Sequence, residues 1–191
     1  MHRIRVAGTS CSGKTTLSRA IGRRLDLPVV ELDALFWGPH WTPVPDEIFR
    51  SRVALAVAAE RWVIDGGYAT VRELTWSRAD TIVWLDYPMR TVLARWARRT
   101  ARRLRTREEF WPGTGNRERL GHIVRRDGLL WWILSTHRRR RRTMAAELAA
   151  HSDLHHVRLR SPPEADRWLQ GLQPASSAAT TAGAMASAQK P

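Results

Sequence analysis

Eight residues near the amino terminus, Gly8-Thr9-Ser10-Cys11-Ser12-Gly13-Lys14-Thr15, constrain this chain more than any other feature. They fit the pattern G-x-x-x-x-G-K-[ST], which works only as a turn between a strand and a helix. The glycines reach positive φ at little cost. The loop can then turn successive N–H groups inward as an anion nest, and the following helix adds the positive end of its dipole. Lys14 supplies a mobile cation for the β- and γ-phosphates of a nucleoside triphosphate. The Thr15 hydroxyl is a hard oxygen ligand suited to magnesium. Residues 4–7, Ile4-Arg5-Val6-Ala7, form a short strand ahead of the loop. Residues 15–25 carry Leu17, Ala20, Ile21 and Leu25 at helical spacing behind it. Gly8, Thr9, Ser10, Cys11, Ser12, Gly13, Lys14, Thr15 and Thr16 are therefore the expected nucleotide-binding residues, and ATP with magnesium the expected ligand.

The rest of the chain repeats this alternation. Segments 28–32, 62–64, 81–85 and 154–159 read as further strands. Helical periodicity predicts helices at about 46–60, with Asp46 as N-cap, and at 71–77. Others are predicted from after Pro88 to about 105, from the Trp131-Trp132 pair to about 150, and over 163–172. Residues 36–45 are a Trp/Pro-rich loop, and 108–121 a Gly/Pro-containing one. Strands that are short and continuously apolar, separated by helices, predict an α/β fold: a five-stranded parallel sheet with helices on both faces. A length of 191 residues suits one domain, taken as 1–173. Residues 174–191 are Ala/Ser/Thr-rich without apolar period and are expected to be a disordered tail.

Composition narrows the partners. The formal charge is +14, and of the basic residues only Lys14 and Lys190 are lysine. An arginine-rich coding bias accounts for this, and so does an anionic partner such as nucleotide phosphate or nucleic acid. The single cysteine, Cys11, allows no intramolecular disulfide and fits a reducing cytosol. The first residues lack the long apolar core of a signal peptide. The longest apolar run, 129–134, is far short of the roughly 20 residues that cross a bilayer. A cytoplasmic location and no membrane partner are expected.

In open parallel sheets ligands bind beyond the carboxyl ends of the strands, and the first four strands each end near a candidate: Gly8, Asp33, Asp65 and Asp86. Asp65 closes the hydrophobic strand Trp62-Val63-Ile64 and can hold magnesium directly or through water, or can serve as a turn or capping residue. Asp33 would face the acceptor side and take up a hydroxyl proton, or form an Asx turn or N-cap. Asp86, ahead of Tyr87-Pro88, reads as a cap of the next helix. Arginines crowd 90–107, where Arg95, Arg98, Arg99 and Arg102 share a face by i, i+3, i+4 spacing. A second run spans 138–142. Two or three of these are expected to serve phosphoryl transfer and the rest to form a solvated face.

Taken together, the loop from Gly8 to Thr16, Val30-Glu31-Leu32-Asp33-Ala34-Leu35-Phe36-Trp37, Trp62-Val63-Ile64-Asp65-Gly66-Gly67-Tyr68 and Ala79-Asp80-Thr81-Ile82-Val83-Trp84-Leu85-Asp86-Tyr87-Pro88 resemble the adenylate kinase-like P-loop kinases. Within them the order of motifs is most similar to the DNA topology modulation proteins, over about residues 3–172. The resemblance implies a P-loop NTPase fold with an arginine-rich helical lid, inserted at about 106–143. It puts Arg95 and Arg99 at the two arginines of the post-proline helix that clamp phosphates, so that Lys14, Asp33, Arg95 and Arg99 become the catalytic candidates and Thr15 and Asp65 the metal candidates. Two departures matter. Where adenylate kinases carry the two arginines that hold the AMP phosphate, this chain has Phe36 and the run Gly67-Tyr68-Ala69. The expected reaction is therefore γ-phosphoryl transfer from ATP to a small-molecule or nucleotide acceptor other than AMP. A neutral hydroxylated acceptor beside Asp33 fits best. The alternative is a nucleic-acid-associated ATP-binding regulator without kinase turnover, although no base-reading motif is visible. Cys11 stands where many relatives have glycine, which would put a reactive thiol at the nucleotide site.

Overall fold

A computed structural model describes residues 1–118 and 128–174. The predicted tail beyond 174 and the stretch 119–127, part of the predicted lid, lie outside the described residues. Five strands form one sheet: β1 (Arg3–Gly8), β2 (Val29–Glu31), β3 (Trp62–Asp65), β4 (Thr81–Leu85) and β5 (His155–Leu159), in the order β2-β3-β1-β4-β5. Every pairing is parallel. The central strands are covered on both faces, which is why they read as unbroken apolar runs. Ile4, Val6, Trp62, Val63, Ile64, Ile82 and Val83 are all fully buried.

Seven α-helices lie among the described residues: α1 (Lys14–Leu25), α2 (Leu32–Phe36), α3 (Asp46–Ala58), α4 (Arg72–Trp76), α5 (Met89–Thr106), α6 (Leu129–Ala150) and α7 (Pro162–Gly171). One face of the sheet packs Ile4, Val6, Val63 and Val83 against Leu17 and Ile21 of α1, Val92 of α5 and Ala165 of α7. The other face packs Trp62, Ile64 and Ile82 against Leu32 of α2, Phe49 and Val53 of α3 and Trp76 of α4. α6 belongs to both cores. Ile133 near its start joins the first, while Met144 and Leu148 join the second. The helix thus passes from one face to the other and carries the arginine run 138–142 with it.

The predicted elements recur with three local corrections. β2 stops at Glu31, and Asp33 is the second residue of α2 rather than a strand end. α3 begins at Asp46, but its N-cap is Pro45 and no side chain caps it. Asp86 does not cap α5. The cap position is Pro88, and the Asp86 carboxylate is held by Arg141, with Arg158 donating from Nη2 at 2.6 Å. That double ion pairing holds the Asp86 carboxyl below its usual range despite burial.

The Trp/Pro loop and the loop after α5 fasten to each other. Trp37 bridges Pro43, and Glu109 bridges Arg117. Asn116, fully buried, donates from Nδ2 to Gly38 O at 2.9 Å and accepts from Trp41 N at 2.7 Å. The Trp41 and Phe110 rings meet edge to face at 4.7 Å.

Candidate active site

The phosphate-binding loop leaves β1 at Gly8 and enters α1 at Lys14. Gly13 sits in the left-handed region at φ 97°. Cys11 also has positive φ, 65°, a conformation that costs a residue with a β-carbon about 1 kcal/mol or more. Ser12 N donates to Thr9 O at 3.1 Å, closing the loop on itself. Lys14 Nζ donates to the same carbonyl at 3.3 Å. Ser12 Oγ is buried without a partner among the described residues. Ser10 is half-buried, and Thr16 is exposed on the first turn of α1.

Two groups from other elements grip this loop. Arg95 of α5 donates from Nη1 to Ser12 O at 2.8 Å and lies 5.6 Å over the Tyr87 ring. His137 of α6, buried, meets Thr9 Oγ1 through Nδ1 at 3.3 Å. Burial, aided by Arg141, lowers the pKa of His137, so the ring is neutral around pH 7. His137 carried no sequence signal of its own, being only the residue before an arginine run. One turn beyond Arg95, Arg99 has Nε and Nη2 buried and unpartnered among the described residues. Its charge acts on Cys11. Arg98 and Arg102, on the same predicted face, are exposed.

At the end of β3, Asp65 Oδ2 accepts a hydrogen bond from Thr15 Oγ1. Its other oxygen is buried without a partner among the described residues. Burial raises the Asp65 pKa, against the pull of Lys14 and the Thr15 hydroxyl. A hydroxyl, an underused carboxylate oxygen and a lysine at one point are the donors that a magnesium–phosphate pair takes up. No group of three or more His, Cys, Asp or Glu side chains that could hold a metal occurs among the described residues. Magnesium at a triphosphate does not need one, because phosphates and water supply most of its ligands. Thr15 and Asp65 fit that role.

Asp33 lies within electrostatic reach of Asp65. Tyr68 donates its hydroxyl to Asp33 Oδ1 at 2.5 Å. Burial raises the Tyr68 pKa, with Asp33 adding to the effect, so this phenol stays protonated. Phe36 turns away from any phosphate role. Its ring packs 4.7 Å from Tyr68, 4.9 Å from Trp37 and 5.1 Å from Phe49. The structure thus draws together Lys14, Thr15, Asp65, Arg95 and Arg99 around the loop, with Asp33 alongside. Cys11 differs from expectation: burial raises its thiol pKa, outweighing Arg99 and Lys14, so it is less reactive than an exposed cysteine.

The fold is that of the P-loop kinases. Among solved structures, a shikimate kinase from Bacteroides thetaiotaomicron superposes with a TM-score of 0.51 and 17% identity, over 88% of this chain and 94% of that one. A sugar kinase from Janibacter sp. HTCC2649 gives a TM-score of 0.49 at 20% identity, over 89% of this chain and 93% of that one. A gluconokinase from Sinorhizobium meliloti 1021 gives 0.49 at 19% identity, over 88% and 91%. No family model and no curated protein sequence matches the chain. None of the described helices is long and apolar enough to cross a membrane.

Proposed function

We propose that this chain is an ATP-dependent phosphotransferase of the adenylate kinase-like superfamily, similar to the DNA topology modulation proteins, and that its acceptor is a hydroxylated small molecule or nucleotide other than AMP. The observation that carries the reading is the direct Thr15–Asp65 contact beside a Lys14-bearing phosphate loop. Phosphoryl transfer has a loose transition state, so positioning and charge neutralisation do most of the work. The loop N–H groups, Lys14 and Arg99 would bind the phosphates. Arg95 would hold the loop in shape through Ser12 O. Thr15 and Asp65 would hold magnesium, which when bound neutralises charge across the β- and γ-oxygens.

On the acceptor side, Tyr68 fixes one oxygen of Asp33 and leaves the other without a protein partner among the described residues. That oxygen would take the acceptor hydroxyl proton as the acceptor oxygen bonds to the γ-phosphorus. The bond from the γ-phosphorus to the β–γ bridging oxygen breaks, and ADP leaves with that electron pair. The aromatic setting of Phe36 leaves no cation at one of the two AMP-phosphate positions, which supports an acceptor other than AMP. The test is calorimetry of ATP binding with Lys14→Ala, followed by a phosphotransfer screen over nucleosides, nucleotides and hydroxylated metabolites. Unchanged ATP affinity in Lys14→Ala refutes the site. Robust transfer to AMP alone refutes the acceptor.

The charge of +14 favours one other reading, a nucleic-acid-associated ATP-binding regulator. It requires nucleic-acid binding that survives loss of Lys14 and persists at physiological salt. Charge-only retention falls steeply as salt rises.

A further inference from the structure

In β1 an arginine occupies a position whose neighbours are apolar. Arg5 pairs in register with Ile64 and Ile82 and is only 3% exposed. Its Nε donates to Thr75 Oγ1 at 3.3 Å, and its guanidinium lies 5.2 Å from the centre of the Trp76 ring. Nη1 is buried without a hydrogen-bond partner among the described residues. Glu147, the acid whose charge acts on Arg5, is already paired with Arg72 at 2.7 Å. Burial pushes the Arg5 pKa down to about 10, yet the group stays charged at neutral pH. A buried guanidinium without its own counter-ion is unfavourable and calls for a compensating anion.

The space beside it is open. Arg5 lines a cleft of about 40 Å³ together with Gly8, Thr9, Gly66, Gly67 and Arg140. The positive-φ positions do not include Gly67, so its backbone does not demand a glycine. A β-carbon on Gly67 would stand 3.6 Å from Arg140 Nη2 and 3.8 Å from Arg5 Nη2. Two guanidinium tips, one from β1 and one from α6, therefore converge on a single unfilled point at the end of β3. Arg141 also lines the cleft, but it is committed to Asp86.

We infer that Arg5 and Arg140 form an oxyanion subsite that holds a carboxylate or phosphate group of the phosphoryl acceptor. The inference rests on the phosphotransferase reading above and sharpens it: the acceptor is an anionic hydroxylated metabolite rather than a neutral one. Forked guanidinium donors suit planar carboxylates and phosphates alike.

The test uses the full chain saturated with magnesium and a non-hydrolysable ATP analogue, which fills the phosphate loop. Malonate and inorganic phosphate are titrated separately at ionic strength matched with chloride, and Tm is followed. The expected result is a Tm rise with at least one anion; malonate alone identifies a carboxylate site, phosphate alone a phosphate site. Arg5→Met and Arg140→Met each lower that anion's affinity at least tenfold while the analogue's Kd stays within twofold. Arg5→Met keeps or raises the unliganded Tm, because an apolar side chain replaces an uncompensated charge. If Arg5→Met does not fold, Arg140→Met decides, loss of the shift supporting the subsite and retention overturning it. No shift with either anion, or a shift that persists in a folded variant, overturns it. Failure of the parent chain to bind the analogue refutes the phosphate-loop reading instead, and is seen before any anion is added.

Discussion

The contact between α5 and the phosphate loop gives a sharply testable energy. Gly13 sits at φ 97°, and a β-carbon there would clash with Arg95 Nη1. Gly13→Ala therefore does two things. It places a residue with a β-carbon in the left-handed region, at about 1–2 kcal/mol, partly offset by about 0.4–1 kcal/mol from a less flexible unfolded chain. It also displaces Arg95, an adaptable side chain that can swing aside, so the steric cost becomes mainly the lost bond to Ser12 O at about 1 kcal/mol. The expected total is about 2 kcal/mol. In an Arg95→Ala background only the backbone part remains, about 1 kcal/mol, so the coupling is about 1 kcal/mol. With a urea m-value of about 2 kcal/mol/M, the midpoint falls by about 1 M in the parent and about 0.5 M in the Arg95→Ala background. Equal midpoint changes in the two backgrounds would show that Arg95 does not dock on the loop.

Three further outcomes are expected. Asp65 has a raised pKa in the fold, so its contribution to stability is lost as pH rises from the unfolded carboxylate value through the raised one. Asp65→Asn should thus show a higher Tm than the parent without nucleotide at pH 7–8, a gap that closes toward pH 4, and a weakened magnesium dependence of nucleotide binding; a gap that does not vary with pH counts against the buried carboxylate. Asn116→Ala removes two buried bonds and orphans Gly38 O and Trp41 N, at about 2–3 kcal/mol. The loop that Asn116 fastens directly follows α2, which carries Asp33 of the proposed acceptor side, so acceptor KM should rise about tenfold while nucleotide Kd is unchanged, and a change confined to nucleotide Kd would contradict that placement of the acceptor. Iodoacetamide should label Cys11 more slowly at pH 7.5 than an unstructured cysteine peptide, and more slowly still in Lys14→Ala, because loss of the lysine charge raises the thiol pKa further. Equal rates would show the thiol to be open and unperturbed.

Much of the fold was legible because its signals are local. The run Trp62-Val63-Ile64 is apolar because both faces of β3 are covered, and the glycines of the loop announce their own turn. At the candidate site, the motif fixes the spacing of Lys14 and Thr15, and an apolar strand ending in an acid points to Asp65, which the fold brings onto Thr15. What escaped is long-range. Asp86 looks like a helix cap in sequence because it precedes Tyr87-Pro88, and only the fold brings Arg141 and Arg158 onto it from 55 and 72 residues away. Nothing in the sequence around Asn116 points to its partners, two backbone groups of a distant loop. Arg5 alternates with Ile4 and Val6 as a solvent-facing strand residue would, yet it sits under α4 and α6. Asp33 missed its strand end by two residues because α2 starts at Leu32, directly after Val29-Val30-Glu31, where no breaker marks the change of period.

ATP held by this loop is the proposed phosphoryl donor, and following the γ-phosphorus of labelled ATP tests that step. The parent chain with magnesium, incubated with a panel of hydroxylated carboxylates and sugar and nucleoside phosphates, should move label into an organic phosphate and leave ADP. Removal of magnesium or Lys14→Ala should reduce that transfer by at least a hundredfold. ATP binding without transfer to any member of the panel, or transfer that survives in Lys14→Ala, would contradict it.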